Sequence, residues 1–156
     1  MSVPRRRRPS MVTWIVVPIA LLGVLLPACG GDDGGGSDSA SQDPAALEGK
    51  AWVLTQYLGA DGSTVIADEG VSATFADGQV SGPSGCNTYN ASYEASGTTI
   101  SFGPIASTQM ACGDDAMALE AQYLKLLGEA TTYAISGRSM SMSNADGTPT
   151  LQFSQG

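Results

Sequence analysis

The sequence predicts a mainly β domain, a small antiparallel β-barrel-like sheet packed against a single amphipathic helix. Three observations predict it. Apolar residues recur with a period of two in short runs bounded by Gly, Asp and Asn, the pattern of half-buried strands. Only the segment from Asp114 to Ala130 switches to a three-and-four spacing, that of a helix with one apolar stripe. No strand-like run alternates with a helix in the βαβ manner, so the sheet is expected to be antiparallel.

The first strand is KAWVLTQYL, Lys50 to Leu58, ended by the turn residues Gly59, Asp61 and Gly62, with Trp52 and Leu54 facing the core. VSATFA, Val71 to Ala76, puts Val71, Ala73 and Phe75 on one face, and Asp77-Gly78 predicts a tight hairpin into QVSG. The stretch that follows, SGPSGCNTY, reads as a turn. Gly82 and Gly85 supply backbone freedom, Asn87 hydrogen-bonds its own turn, and Tyr89 and Tyr93 cover it from the sheet face. Further strands are expected at TTISF (Thr98 to Phe102), TTYAIS (Thr131 to Ser136), SMSMS (Ser139 to Ser143) and TLQF (Thr150 to Phe153), the last two joined by the hairpin signal NADGTP. In the helix, Met117, Ala121, Leu124 and Gly128 form the expected stripe, with Tyr123 and Leu127 beside it. Asp114 and Asp115 are placed at the N-cap, and Glu120, Lys125 and Glu129 on the solvated side.

Residues 1–28 read as a targeting segment rather than part of the fold. Arg5 to Arg8 form a charged start, and Met11 to Leu26 an uncharged run that would make roughly 24 Å of helix, short for a bilayer core of about 30 Å. LLPAC, Leu25 to Cys29, resembles the lipobox at which bacterial lipoproteins are cleaved, which makes Cys29 the lipidated first residue and the membrane the partner it engages. Residues 29–46 then form a Gly-, Ser- and Asp-rich tether with too little apolar surface to offset its ordering entropy. The expected location is the cell envelope, on the outer face of the plasma membrane or in the periplasm. The folded domain is assigned to residues 47–156.

Beyond Cys29 only Lys50, Lys125 and Arg138 face fifteen acids, a formal charge of −12. Such a surface repels a phosphate backbone, so nucleic acid is not an expected partner. Thiol catalysis ordinarily needs an imidazole, and the chain has no histidine. Two cysteines without histidine also make a poor zinc site. No cofactor or metal is expected. With Cys29 lipidated, Cys86 and Cys112 remain as a pair in an oxidising compartment, and they are read as a disulfide. Ser107 and Thr108 lack a base to activate them, and Asn90-Ala91-Ser92 matches a glycosylation sequon.

Taken in order, Trp52-x-Leu54, Phe75-x-x-Gly78, SGPSGCNTY with Tyr93 beyond it, STQMAC (Ser107 to Cys112), an acidic helix with Glu120 and YLKLL, and a final Leu-x-Phe resemble the META domain of HslJ-like bacterial envelope proteins. The resemblance covers Leu47 to Phe153. It implies a barrel-like sheet with one packed helix and a stress-related structural or interaction role in the envelope, with no catalytic residue to carry over. The chain is therefore expected to be a lipid-anchored domain without enzymatic activity. Gly85, Asn87, Tyr89 and Tyr93 are the candidate interaction surface, and an unknown envelope protein the candidate partner. The alternative is a surface-anchored inhibitor or ligand-binding protein directed at a cationic envelope or extracellular hydrolase.

Overall fold

A strand with one apolar face needs a neighbour on each edge and a cover on that face, and here the sheet supplies both by closing on itself. The computed structural model describes residues 43–67 and 70–156; the expected signal segment, lipidated Cys29 and most of the tether lie outside the described residues. A short 3-10 turn, Pro44–Ala46, leads into β1 (Ala51–Leu58), β2 (Thr64–Ile66), β3 (Ser72–Ala76), β4 (Gln79–Pro83), β5 (Thr88–Ser96), β6 (Thr99–Phe102) and β7 (Ala106–Ser107). Helix α1 (Asp114–Glu129) follows, then β8 (Thr132–Ser136), β9 (Ser139–Ser143) and β10 (Pro149–Gln155).

Strands β1, β3, β4, β5, β6, β8, β9 and β10 pair in that order, every pair antiparallel, and β10 returns to β1 from Trp52↔Gln155 to Tyr57↔Leu151. The result is a closed eight-stranded barrel. β2 and β7 lie outside the ring, on the edges of β1 and β5. The seams are unequal: β4 and β5 share five register pairs, whereas β6 and β8 meet only at Thr99↔Thr132, because α1 intervenes between them in the chain.

An eight-stranded barrel is narrow enough for its own side chains to fill it. Trp52, Leu54, Ala73, Phe75, Val80, Met140, Met142, Leu151 and Phe153 are all buried, and Leu47 and Leu127 close the interior from outside the ring. The Asp77-Gly78 hairpin forms as the sequence predicts, with positive φ at both residues (51° and 71°), the backbone that a tight primed turn requires.

Two expectations are corrected. No strand is expected between the SGPSGCNTY turn and TTISF, yet TYNASYEAS forms the longest strand, β5, with Tyr89, Ala91 and Tyr93 inward and Asn90, Ser92 and Glu94 outward. Its period of two is present in the sequence, masked by residues that usually mark loops. In α1 the N-cap is Gly113, with Asp114 and Asp115 in the first turn where they complement the helix dipole. The buried face is Glu120, Tyr123, Leu126 and Leu127, rotated from the expected stripe so that Met117, Ala121 and Gly128 are exposed.

Candidate functional site

The residues that stand out in the sequence converge where α1 meets the β4–β5 turn. Glu120, expected in solvent, is only 7% exposed and is enclosed by donors. Its Oε2 accepts from the Asn87 backbone N–H (2.8 Å) and from the Ser84 hydroxyl (3.1 Å), and its Oε1 accepts from the Asn87 side-chain amide (3.0 Å). The other end of the Asn87 amide is occupied too: Oδ1 accepts from the Thr108 hydroxyl (2.8 Å) and the Met110 N–H (2.7 Å). A buried carboxylate survives only with such partners, because an unpaired charge in low dielectric is expensive.

A disulfide closes the same region. Cys86 and Cys112 are bonded, with Cα atoms 5.9 Å apart, joining the turn before β5 to the loop before α1. Gly85, at φ 111°, lies under the first turns of the helix, where an added Cβ would meet the Ala116 carbonyl oxygen at 3.4 Å and the Leu119 side chain at 3.6 Å. Gly82 is required for another reason: a Cβ there would collide with the Ser72 carbonyl on β3.

Deeper in the barrel, the Tyr89 and Tyr123 hydroxyls lie 2.7 Å apart, and Tyr89 donates to the Ser72 carbonyl at 3.2 Å. Burial pushes both phenols well above their ordinary range, Tyr123 further still through Tyr89. At the opposite end of β4, Tyr93 donates to Glu48 Oε1 (2.8 Å) and is pushed up to about 12 by burial and by that carboxylate. Of the four residues expected to form an interaction surface, Asn87, Tyr89 and Tyr93 are therefore interior groups, and Gly85 alone is exposed. None of the three can anchor a partner. Among the described residues no cluster of three Asp, Glu, Cys or His side chains is arranged to hold a metal ion.

Gly85 opens onto a groove of about 780 Å³ between the β1–β2 ribbon and α1. Tyr57 and Val65 line the ribbon side, and Ala116, Leu119 and Gln122 the helix side. Gln122 Nε2 donates to the Leu58 carbonyl at 2.7 Å and ties the two walls together. Asp61 and Asp115 stand in the lining, which contains no basic residue. The Ser63 hydroxyl and N–H hold the Asp61 carboxyl below its usual range, keeping it ionised. Ile66, 71% exposed, extends the apolar surface past the groove mouth. Composition alone pointed to none of these residues except Gly85, because the wall is assembled from segments some sixty residues apart.

A family model for the META domain matches residues 45–156. Among solved structures, an NMR structure of a protein from Burkholderia xenovorans is similar at 29% identity and a TM-score of 0.62, covering 73% of this chain and 88% of that one. A second NMR structure aligns at 21% identity and a TM-score of 0.56, over 72% of this chain and 93% of the other. A crystal structure of a DUF4847 family protein from Bacteroides vulgatus shares the fold at 14% identity and a TM-score of 0.53, covering 70% and 94%. No match is found among curated proteins.

Proposed function

We propose that this chain, which belongs to the META domain family, is a lipid-anchored cell-envelope domain without enzymatic activity that works as a stress-related structural or interaction module. Cys29 is the anchor and residues 30–46 the tether that holds the domain clear of the lipid. One observation carries the reading. The chemically distinctive side chains Asn87, Thr108, Glu120, Tyr89 and Tyr123 are engaged in fastening α1 to the barrel, while the open groove beside them offers contact surface. Apolar walls with an ionised rim suit recognition rather than turnover.

A second reading draws on the same groove. The acidic lining favours a cationic partner, which supports a surface-anchored inhibitor or ligand-binding protein directed at a cationic envelope or extracellular hydrolase.

The test places a photo-crosslinking residue at Ala118 in the groove, and separately at Ser101 on the outer face of β6, in the full chain in its own envelope. A discrete adduct from Ala118 and none from Ser101 supports an interaction module; identical adducts from both, or none, count against it. In the same cells, fatty-acid labelling that disappears in Cys29→Ser supports the anchor, and equal labelling of the variant removes it.

A further inference from the structure

Among the described residues strand β2 leaves one backbone edge without a partner, and the position of that edge specifies what the groove can take. Within the described residues β2 pairs only with β1. At one end of the pairing the Gly59 N–H donates to the Ser63 carbonyl (2.7 Å), and at the other the Ala67 N–H donates to the Thr55 carbonyl (2.9 Å). Antiparallel ladders alternate, so Val65 directs its N–H and C=O toward β1 while Thr64 and Ile66 direct theirs the opposite way. Among the described residues those four groups have no backbone partner. An unpaired edge of this kind is a template for another strand.

Resting on the reading of the domain as an interaction module, we infer that β2 accepts an extended segment of a partner protein by strand addition, and that the segment alternates apolar and basic side chains. Three features select this occupant. A strand laid on the edge continues the β1–β2 ribbon, sending alternate side chains toward the wall formed by Ala116 and Leu119 and the intervening ones away from it. Asp61 and Asp115 lie along this path and no basic residue lines it, so lysine or arginine fits where an acidic side chain is repelled. The exposed Ile66, the last residue of β2, gives an apolar side chain of the incoming strand a partner.

The probe is a fluorescein-labelled hexapeptide of alternating valine and lysine, titrated into the full chain at low salt and followed by anisotropy, with a valine–glutamate hexapeptide beside it. Strand addition predicts affinity at least about tenfold higher for the lysine peptide. It also predicts that methylating one alternate set of its backbone nitrogens abolishes binding while methylating the other set does not. Thr64→Pro removes an N–H that faces away from β1, a change that edge strands tolerate, and is expected to weaken binding about tenfold with the melting temperature held. As a check independent of proline, Asp61→Asn with Asp115→Asn should cost the lysine peptide affinity and not the glutamate peptide. No binding of the lysine peptide overturns the inference. So does equal binding of both methylated frames together with an unaffected Thr64→Pro variant, because nonspecific charge attraction alone would produce that result. If these edge tests fail while the Ala118 adduct forms, the groove still serves as an interaction site and strand addition is excluded; if the edge tests succeed without that adduct, β2 accepts a strand and the reading of the domain as an interaction module in its own envelope loses its support.

Discussion

At the Pro83 end of β4 the barrel is covered by α1, which is held by Glu120, by the Tyr89–Tyr123 pair and by the Cys86–Cys112 disulfide; at the Gln79 end it is covered by residues Leu47 to Gly49. The second cover uses almost no distinctive chemistry. The Gly49 N–H donates to the Phe75 carbonyl (3.2 Å), the Trp52 indole N–H to the Leu47 carbonyl (3.0 Å), and Tyr93 to Glu48. The difference follows from backbone accounting. A segment outside a helix can join a sheet through its own backbone groups, as Glu48 does in its bridge to Phe75, but a helix has already committed those groups internally, so side chains must make the connection. That is why the recognisable motifs gather at the helix and the other cover is anonymous in sequence.

The largest effect expected is at the helix end. Cys86→Ala or Cys112→Ala, each opening a cross-link between residues 26 apart, should cost roughly 3.5 kcal/mol in urea unfolding, and the double variant no more than either single one. Additive losses would mean that the two sulfurs act separately. Close behind comes the opposite cover. Leu47→Ala, at a fully buried position, should cost about 3 kcal/mol through the cavity it leaves. A loss under about 1 kcal/mol would show that the Leu47–Gly49 cover is dispensable and the comparison false.

Glu120→Gln isolates the polar clip. The new amide can keep its oxygen toward the Asn87 N–H, but its nitrogen then faces the Asn87 side-chain amide, donor against donor. Asn87 cannot turn over without giving up its bonds from Thr108 and Met110. The expected cost is about 2 kcal/mol, read from the same urea curves, and it should shrink in a Cys112→Ala background if clip and disulfide hold the same loop.

The smallest effect concerns Tyr93. Its neutral form is favoured in the fold by burial and by Glu48, with Tyr133 and Asp77 adding to the repulsion of a phenolate, so its folded value of about 12 exceeds the ordinary phenol value of about 10. A raised value means that the stabilisation is complete below pH 10 and is lost as pH climbs from about 10 to about 12, where the unfolded chain releases the proton first. Tyr93→Phe should cost about 1 kcal/mol or less at pH 7. Between pH 10 and 12 its urea midpoint should fall less steeply than that of the unsubstituted chain, and parallel slopes would dissociate Tyr93 from alkaline unfolding.

Much of the architecture is legible in the residues. The period of two gave most strands, Asp77-Gly78 gave its hairpin, and the three-and-four spacing located α1 almost to its ends. Two cysteines without a histidine gave the covalent pair. These are local properties, set by how consecutive side chains share a face or a turn.

What the tertiary structure alone decided is which of two competing faces turns inward, and that depends on partners far away in the chain. α1 has apolar residues around much of its circumference, so the stripe through Met117 and Ala121 looked as good as the one that is buried. Glu120 faces inward because Asn87, 33 residues earlier, presents it with a backbone and a side-chain donor. In β5 the same dependence runs through the neighbours: Asn90 and Ser92, turn formers by composition, lie in the middle of a strand because β4 pairs with them across the ladder. Closure of β10 onto β1 likewise follows from pairing between the two ends of the domain. Local spacing fixes which residues travel together; only the packed neighbours fix the direction in which they point.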